Sequence, residues 1–260
     1  MIKAHHHHER HDDEQLQHNH QENDRRQQDL AGLRVAITGG TSGLGLALVS
    51  ELTARGAVVA FVARTRRHVE AVARAHPGSI GIVGDVSRKD DIHPIALQII
   101  GDLGGVDVLV NNASSLGPAP LALLADTECE DFEVALATNV LGPFRLTKAL
   151  FGALTASARD GRGGLVINVS SDAAVNAYST WGAYGASKAA LAHMSRIWSE
   201  ELASERVRVV ALDPGDMDTP LHAIAVPDAY PATLKRPEAA AHELAEVIAD
   251  VTRSFAEVRA

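Results

Sequence analysis

From Leu33 onward, short unbroken apolar runs alternate with longer stretches whose apolar residues recur at helical spacing. LRVAIT at 33–38, AVVAFVA at 57–63, IGIVG at 80–84, VDVLV at 106–110, GLVINVS at 164–170 and VRVVAL at 207–212 read as strands. They are rich in β-branched residues and continuous rather than alternating, the pattern of strands buried on both faces of a parallel sheet. Helical patterns lie at about 44–55, 66–75, 89–101, 128–155, 182–203 and 237–252. Thr127 and Glu130 have the spacing of a capping box for the fourth helix. No Pro/Ser/Gly linker breaks the alternation, so the pattern predicts one α/β domain, a doubly wound parallel sheet with helices on both faces. Such sheets bind ligands outside the carboxyl ends of their strands. Residues at strand ends therefore carry the most weight.

Residues 1–30 are a different kind of chain. They hold seven of the thirteen histidines among acids, Gln and Asn, with hardly an apolar residue. Such a segment buries too little surface to offset its ordering entropy, and it reads as a disordered His-rich polar tail preceding a folded domain at 31–260. The His5–His8 run raises a metal-handling reading beside the plainer ones of a solvated tail or a cloning scar. No structural metal site is assigned.

Composition narrows the function classes. The 260 residues are 46% apolar and only 4% aromatic, so aliphatic side chains carry the core. A formal charge of −9 argues against a nucleic-acid partner, whose phosphates attract basic surfaces. Cys129 is the only cysteine, which precludes an intrachain disulfide and suits a reducing compartment. No apolar run has the length of a membrane helix, and the first residues lack the apolar stretch of a secretory signal. The expectation is a soluble cytoplasmic protein.

Directly after the first strand comes Thr38-Gly39-Gly40-Thr41-Ser42-Gly43-Leu44-Gly45, opening a helix. Glycines there permit a tight turn and close backbone approach to a pyrophosphate held on the helix N-terminus. The second strand ends at Arg64, followed by Thr65-Arg66-Arg67, with no acid to accept bonds from a ribose 2′-hydroxyl. An arginine offers instead a planar fork for a 2′-phosphate, so NADP(H) is favoured over NAD(H), with Arg64 as the main contact. Positive charge at the start of a helix needs such a reason, since the macrodipole disfavours it. Asp85-Val86 closes the third strand, where a turn-forming Asp is natural.

Tyr184 and Lys188 stand at i and i+4, on one face of a helix. Carbonyl reduction needs a proton donor, and a tyrosine matches neutral pH poorly unless a nearby cation stabilises its phenolate. Ser171, at the end of the fifth strand, has a hydroxyl able to bond the same carbonyl oxygen. Asn139 lies inside a long helix, where Asn has poor propensity, and a water leading to Lys188 would give it a partner.

In these features the chain resembles the short-chain dehydrogenase/reductase family, over about residues 32–250. The shared motifs are Thr38-Gly39-x3-Gly43-x-Gly45, Asn111-Asn112-Ala113, Asn139, Ser171, Tyr184-x3-Lys188 and Pro214-Gly215-x3-Thr219. The resemblance implies a Rossmann-type fold, a nicotinamide cofactor and a relay of Asn139, Ser171, Tyr184 and Lys188. In it Tyr184 is the general acid/base, Ser171 positions the carbonyl, Lys188 binds the nicotinamide ribose and lowers the tyrosine pKa, and Asn139 holds a relay water. Gly39, Thr41, Ser42, Gly43, Leu44, Gly45, Asn112 and Ala113 would surround the cofactor, with Asp85 and Val86 at its adenine and Pro214, Gly215, Met217 and Thr219 beside its nicotinamide. Three departures stand out. Ser114 replaces the glycine usual after Asn-Asn-Ala, which would crowd the cofactor slightly. No basic residue lies within the glycine motif. The chain closes on Phe255–Ala260 without the usual glycine-rich ending, and those residues are read as a short seventh edge strand. A homodimer through the helices carrying Asn139 and Tyr184 is expected, with a homotetramer as the further option.

The substrate side is expected to draw on Leu116, Val175, Tyr178, Trp181, Met217, Leu221, Ile224, Val226 and Tyr230, an apolar pocket under a lid at 216–236. The expected substrate is a small, mostly apolar carbonyl or alcohol. The alternative, from another class, is a non-catalytic cofactor-binding sensor or interaction protein on the same fold.

Overall fold

The computed structural model describes residues 29–257. Six parallel strands form one sheet: β1 Arg34–Thr38, β2 Val58–Ala63, β3 Ser79–Val83, β4 Val108–Asn111, β5 Leu165–Val169 and β6 Arg208–Leu212. Their order across the sheet is β3-β2-β1-β4-β5-β6. The order reverses direction between β1 and β4, which opens a crevice at their carboxyl ends.

Alternate residues of each strand serve two cores, as a pleat requires. Val35 and Ile37 of β1 pack with Val59 and Phe61 of β2 beneath helices α1 (Gly43–Ala54) and α8 (Pro237–Glu257). Ala36, Ala60 and Val62 face the other way, against Ile95 and Ile99 of α3 (Lys89–Leu103) and Leu146 and Leu150 of α5 (Gly142–Arg159). The remaining helices are α2 (Arg66–Ala75), α4 (Cys129–Leu136), α6 (Gly182–Glu201) and the short α7 (Pro220–Ala225). The molecule is thus the expected single doubly wound α/β domain of Rossmann type. Among the described residues no helix is long and apolar enough to cross a membrane.

The structure corrects four expectations. The helix read as 128–155 is two helices separated by a π turn at Ala137–Leu141, because one wide turn there breaks the 3.6 period. The capping box at its start does not form. Glu128 is the N-cap residue, and Thr127 Oγ1 donates instead to the Leu123 carbonyl at 2.9 Å. The closing residues form no seventh strand as far as Glu257. Leu244, Ile248, Val251 and Phe255 continue at helical spacing, so α8 runs on and buries Phe255 beside β6, under the Arg208 guanidinium. Residues 258–260 lie outside the described residues.

The fourth correction concerns the start of the domain. Asp29 and Leu30 belong to the packed structure: Leu30 is 3% exposed, and Asp29 pairs with Arg55. The tail with its His5–His8 run lies otherwise outside the described residues. Among the described residues no cluster of His, Cys, Asp and Glu could hold a metal.

Candidate active site

The glycine turn is shaped by what it touches. Gly39 takes a φ of +74°, and a Cβ there would sit 2.9 Å from the Cα of Ala113. At Gly45 a Cβ would meet the Gly39 carbonyl oxygen at 2.1 Å, so α1 can start hard against the turn only with glycine at this place. Ser42, the N-cap residue of α1, makes no side-chain cap bond, which leaves first-turn amides for an anion. Thr38 joins β1 to β4: its Oγ1 accepts from the amides of Asn112 and Ala113, both at 3.0 Å. Asn112 returns the contact, its Nδ2 donating to the Thr38 carbonyl at 2.9 Å. Asn112 thus buttresses the turn as well as facing the cleft.

A continuous cleft of about 1040 Å³ runs from this turn across the carboxyl ends of the strands. Of the residues expected around a cofactor, Gly39, Thr41, Ser42, Gly43, Leu44, Arg64, Asp85, Val86, Asn112, Ala113, Tyr184, Lys188, Pro214, Gly215, Met217 and Thr219 all line it. Gly45 does not; it lies behind the turn it makes possible. At one end Arg64, Thr65 and His68 line the wall, whereas Arg66 and Arg67 do not. Asp85 accepts from the Ser87 amide at 2.9 Å and the Ser87 hydroxyl at 2.7 Å, so the turn reading of this residue holds beside its place in the cleft. The glycine cradle, the uncapped helix and the length of the cleft together fit an elongated dinucleotide, with Arg64 exposed at one end of it.

At the other end Tyr184 and Lys188 share one face of α6, with Lys188 Nζ 5.5 Å from the tyrosine ring centroid. Trp181 meets that ring edge to face at 5.6 Å. Lys188 is 2% exposed and donates to the Val169 carbonyl at 2.7 Å. Burial brings its pKa down to about 8, against the opposing pull of Asp213. Burial also pushes the Tyr184 phenol up to about 12, helped by the charges of Asp213 and Asp172 and opposed by hydrogen bonding from the hydroxyls of Ser171 and Ser114. This reverses the expected lowering: desolvation of the phenolate outweighs both hydroxyls. Tyr184 accordingly carries its proton at neutral pH. The Ser171 hydroxyl is oriented locally, accepting from the Ala173 amide and donating to Asp172 Oδ1, both at 3.2 Å.

Asn139 does not line the cleft; it is buried in the π turn with all four bonding positions of its carboxamide filled by protein. Its oxygen accepts from the Ser115 amide at 2.8 Å and the Ser114 hydroxyl at 3.2 Å. Its nitrogen donates to the Ser115 carbonyl and to the Ser187 hydroxyl, both at 2.8 Å. The side chain therefore has no free position for the expected relay water.

Of the residues expected on the substrate side, Leu116, Tyr178, Trp181, Met217, Leu221, Ile224 and Val226 line the cleft. Val175 and Tyr230 do not, and at 89% and 72% exposure they face outward. Their loops simply turn away from the cleft. The sequence reading missed Asp172, Asp213, Ser187 and α7. The last had a signal, Thr219-Pro220, a cap followed by proline at the first helical position, and Thr219 Oγ1 does accept from the His222 amide.

Comparison with known proteins agrees with this geometry. Residues 34–229 match the family described as short chain dehydrogenase. An uncharacterized oxidoreductase of Mycobacterium tuberculosis is 34% identical over 194 residues, 72% of this chain but 55% of that relative, so the chain spans little more than half its length. The crystal structure of 3-ketoacyl-(acyl-carrier-protein) reductase from Brucella melitensis complexed with NADH superposes with a TM-score of 0.77 at 27% identity, covering 84% of this chain and 91% of that one. A short chain dehydrogenase from Burkholderia cenocepacia in complex with NADP gives 0.72 at 25% identity, with the same coverage.

Proposed function

The chain belongs to the short-chain dehydrogenase/reductase family, and from that premise we propose that it is an NADP(H)-dependent oxidoreductase interconverting a carbonyl and an alcohol on a small, mostly apolar substrate. One observation carries this reading: Tyr184, Ser171 and Lys188 converge at one end of a cleft whose other end holds the glycine turn and Arg64. The nicotinamide, when bound, supplies or accepts the hydride.

The chain's own groups manage the proton. Tyr184 holds it on the phenol oxygen at neutral pH, the form that carbonyl reduction requires. Ser171, fixed by the Ala173 amide, turns its own proton from Asp172 to the substrate oxygen and orients it. Lys188 places its nitrogen beneath the tyrosine ring, donating to the Val169 carbonyl, and would hold the nicotinamide ribose. Asn139 acts through others, as the anchor of the π turn. Leu116, Trp181, Leu221 and Ile224 supply apolar walls for the substrate. Self-association is proposed as a homodimer, with a homotetramer as the further option, through α5 with the π turn before it and through α6; the exposed Leu141 of that turn, Phe144 of α5 and Ile197 of α6 support it.

The test needs no guess at the substrate. Titration with NADPH and with NADH, followed by nicotinamide fluorescence, should show tighter NADPH binding that Arg64→Ala weakens. Tighter NADH binding would overturn the cofactor choice, and binding of neither would favour the interaction-protein reading.

A further inference from the structure

We propose that Ser114 is a positioning residue for proton transfer, its hydroxyl linking Tyr184 to Asn139 and passing its hydrogen bond to the phenolate oxygen when the tyrosine gives up its proton. The inference rests on the reading of Tyr184 as the proton-transfer group. It starts from a sequence anomaly, a serine after Asn111-Asn112-Ala113 where the family it resembles usually has glycine. In the structure this serine does not merely occupy space. It lines the cleft with Tyr184 and Ser171, and its Oγ donates to Asn139 Oδ1 at 3.2 Å.

That bond is long for two oxygens, and Asn139 Oδ1 has a second, shorter donor in the Ser115 amide at 2.8 Å. The Ser114 proton can therefore leave Asn139 without orphaning a buried acceptor. A serine hydroxyl both donates and accepts, and it turns freely about its Cβ–Oγ bond. While Tyr184 is a phenol, Ser114 gives its proton to Asn139 and presents a lone pair to the tyrosine. Once Tyr184 becomes a phenolate, the same hydroxyl turns and donates to it.

The surroundings make this second position matter. Tyr184 faces Lys188 on its own helix, Asp172 after β5 and Asp213 after β6. The two carboxylates oppose ionisation, as does burial. The hydroxyls of Ser171 and Ser114 offset these through hydrogen bonds. Ser171 has other demands, from the Ala173 amide, Asp172 and, in the proposed reaction, the substrate oxygen. Ser114 is left to serve the tyrosine.

The experiment reads Tyr184 directly and requires no turnover. The chain has three tyrosines, Tyr178, Tyr184 and Tyr230, so uniform labelling with difluorotyrosine gives a fluorine NMR spectrum in which Tyr184→Phe identifies one signal. Fluorination also acidifies the phenol into a range that the folded protein withstands. Ser114→Ala should raise the Tyr184 midpoint by about one pH unit, the size expected for a lost hydrogen bond to a charged group. Ser114→Thr, which keeps the hydroxyl, should restore it, and the Tyr178 and Tyr230 midpoints should stay in place as a check on the fold. The alkaline limb of kcat for carbonyl reduction should move upward with the Tyr184 midpoint. An unmoved Tyr184 midpoint in Ser114→Ala would overturn the proposal even if activity fell, and so would a shift that Ser114→Thr failed to reverse. A shift rescued by threonine in a protein that turns over no carbonyl would support the coupling and overturn the reading of the reaction.

Discussion

Asn139 donates a 2.8 Å hydrogen bond to the hydroxyl of Ser187, and that hydroxyl in turn donates to the carbonyl of Tyr184 at 2.6 Å. One buried carboxamide thereby fastens the π turn to the helix that carries Tyr184 and Lys188. The same carboxamide holds Ser115 on both its amide and its carbonyl, which fixes the loop leaving β4. The turn, the loop and the helix meet at this side chain.

Asn139→Ala should therefore cost stability as well as turnover. It strands the amide and carbonyl of half-buried Ser115 beside the cleft, and a loss of about 1–3 kcal/mol is expected. Urea denaturation measures this directly. A change below about 0.5 kcal/mol, the ordinary range for exposed surface sites, would show that the site relaxes without its anchor.

Lys188 should be a residue that costs the fold something. In the unfolded chain it titrates near its ordinary 10.5, whereas burial holds it near 8 in the native protein. Between those values the unfolded state binds the extra proton, so raising the pH favours the native state; below pH 8 the full penalty is present. Lys188→Met should accordingly be more stable than the wild type at pH 7, by at most about 3 kcal/mol. The difference should shrink as the pH rises towards 10.5, while turnover falls by roughly 100-fold or more. Thermal melts across that pH range provide the check, and a stability difference that ignores pH would contradict it.

The segment 216–236 should close on bound cofactor. Its two ends are already clasped: the Asp218 amide donates to the Lys235 carbonyl and the Lys235 amide to the Asp216 carbonyl, both at 3.0 Å. Between them α7 brings Leu221 and Ile224 to the cleft on a base that need not move. NADPH should slow amide exchange across 219–234. Unchanged exchange there would make the segment a fixed wall.

Much of this was legible in the sequence, and the exceptions have physical causes. The six strands announce themselves because both faces of each are covered, which demands unbroken runs such as Val59–Val62. The glycine turn and Ser171 stood out because they lie at strand ends, and Tyr184 with Lys188 because their spacing puts both on one helix face; the structure brings these residues to one cleft. The π turn was hidden, since a single wide turn at Ala137–Leu141 leaves the apolar positions on either side looking helical. Ser187 and Ser114 were not recognisable as partners of Asn139 and Tyr184, because those contacts join residues 48, 25 and 70 positions apart. The direction of the tyrosine pKa also escaped, because burial is a property of the packed domain. The end of the chain was misread because Phe255 completes a helical series that begins at Leu244, a period visible only when the last turn is read with the rest of α8.

The most direct test of the account is Tyr184→Phe, with turnover of a panel of ketones and aldehydes and NADPH affinity measured on the same preparation. The phenol ring remains as phenyl, so its edge-to-face contact with Trp181 and the cleft wall persist while the transferable proton is lost. The account predicts loss of carbonyl reduction by roughly 100-fold or more, with NADPH binding nearly unchanged. Turnover surviving at the wild-type rate would remove Tyr184 from the reaction and contradict the account.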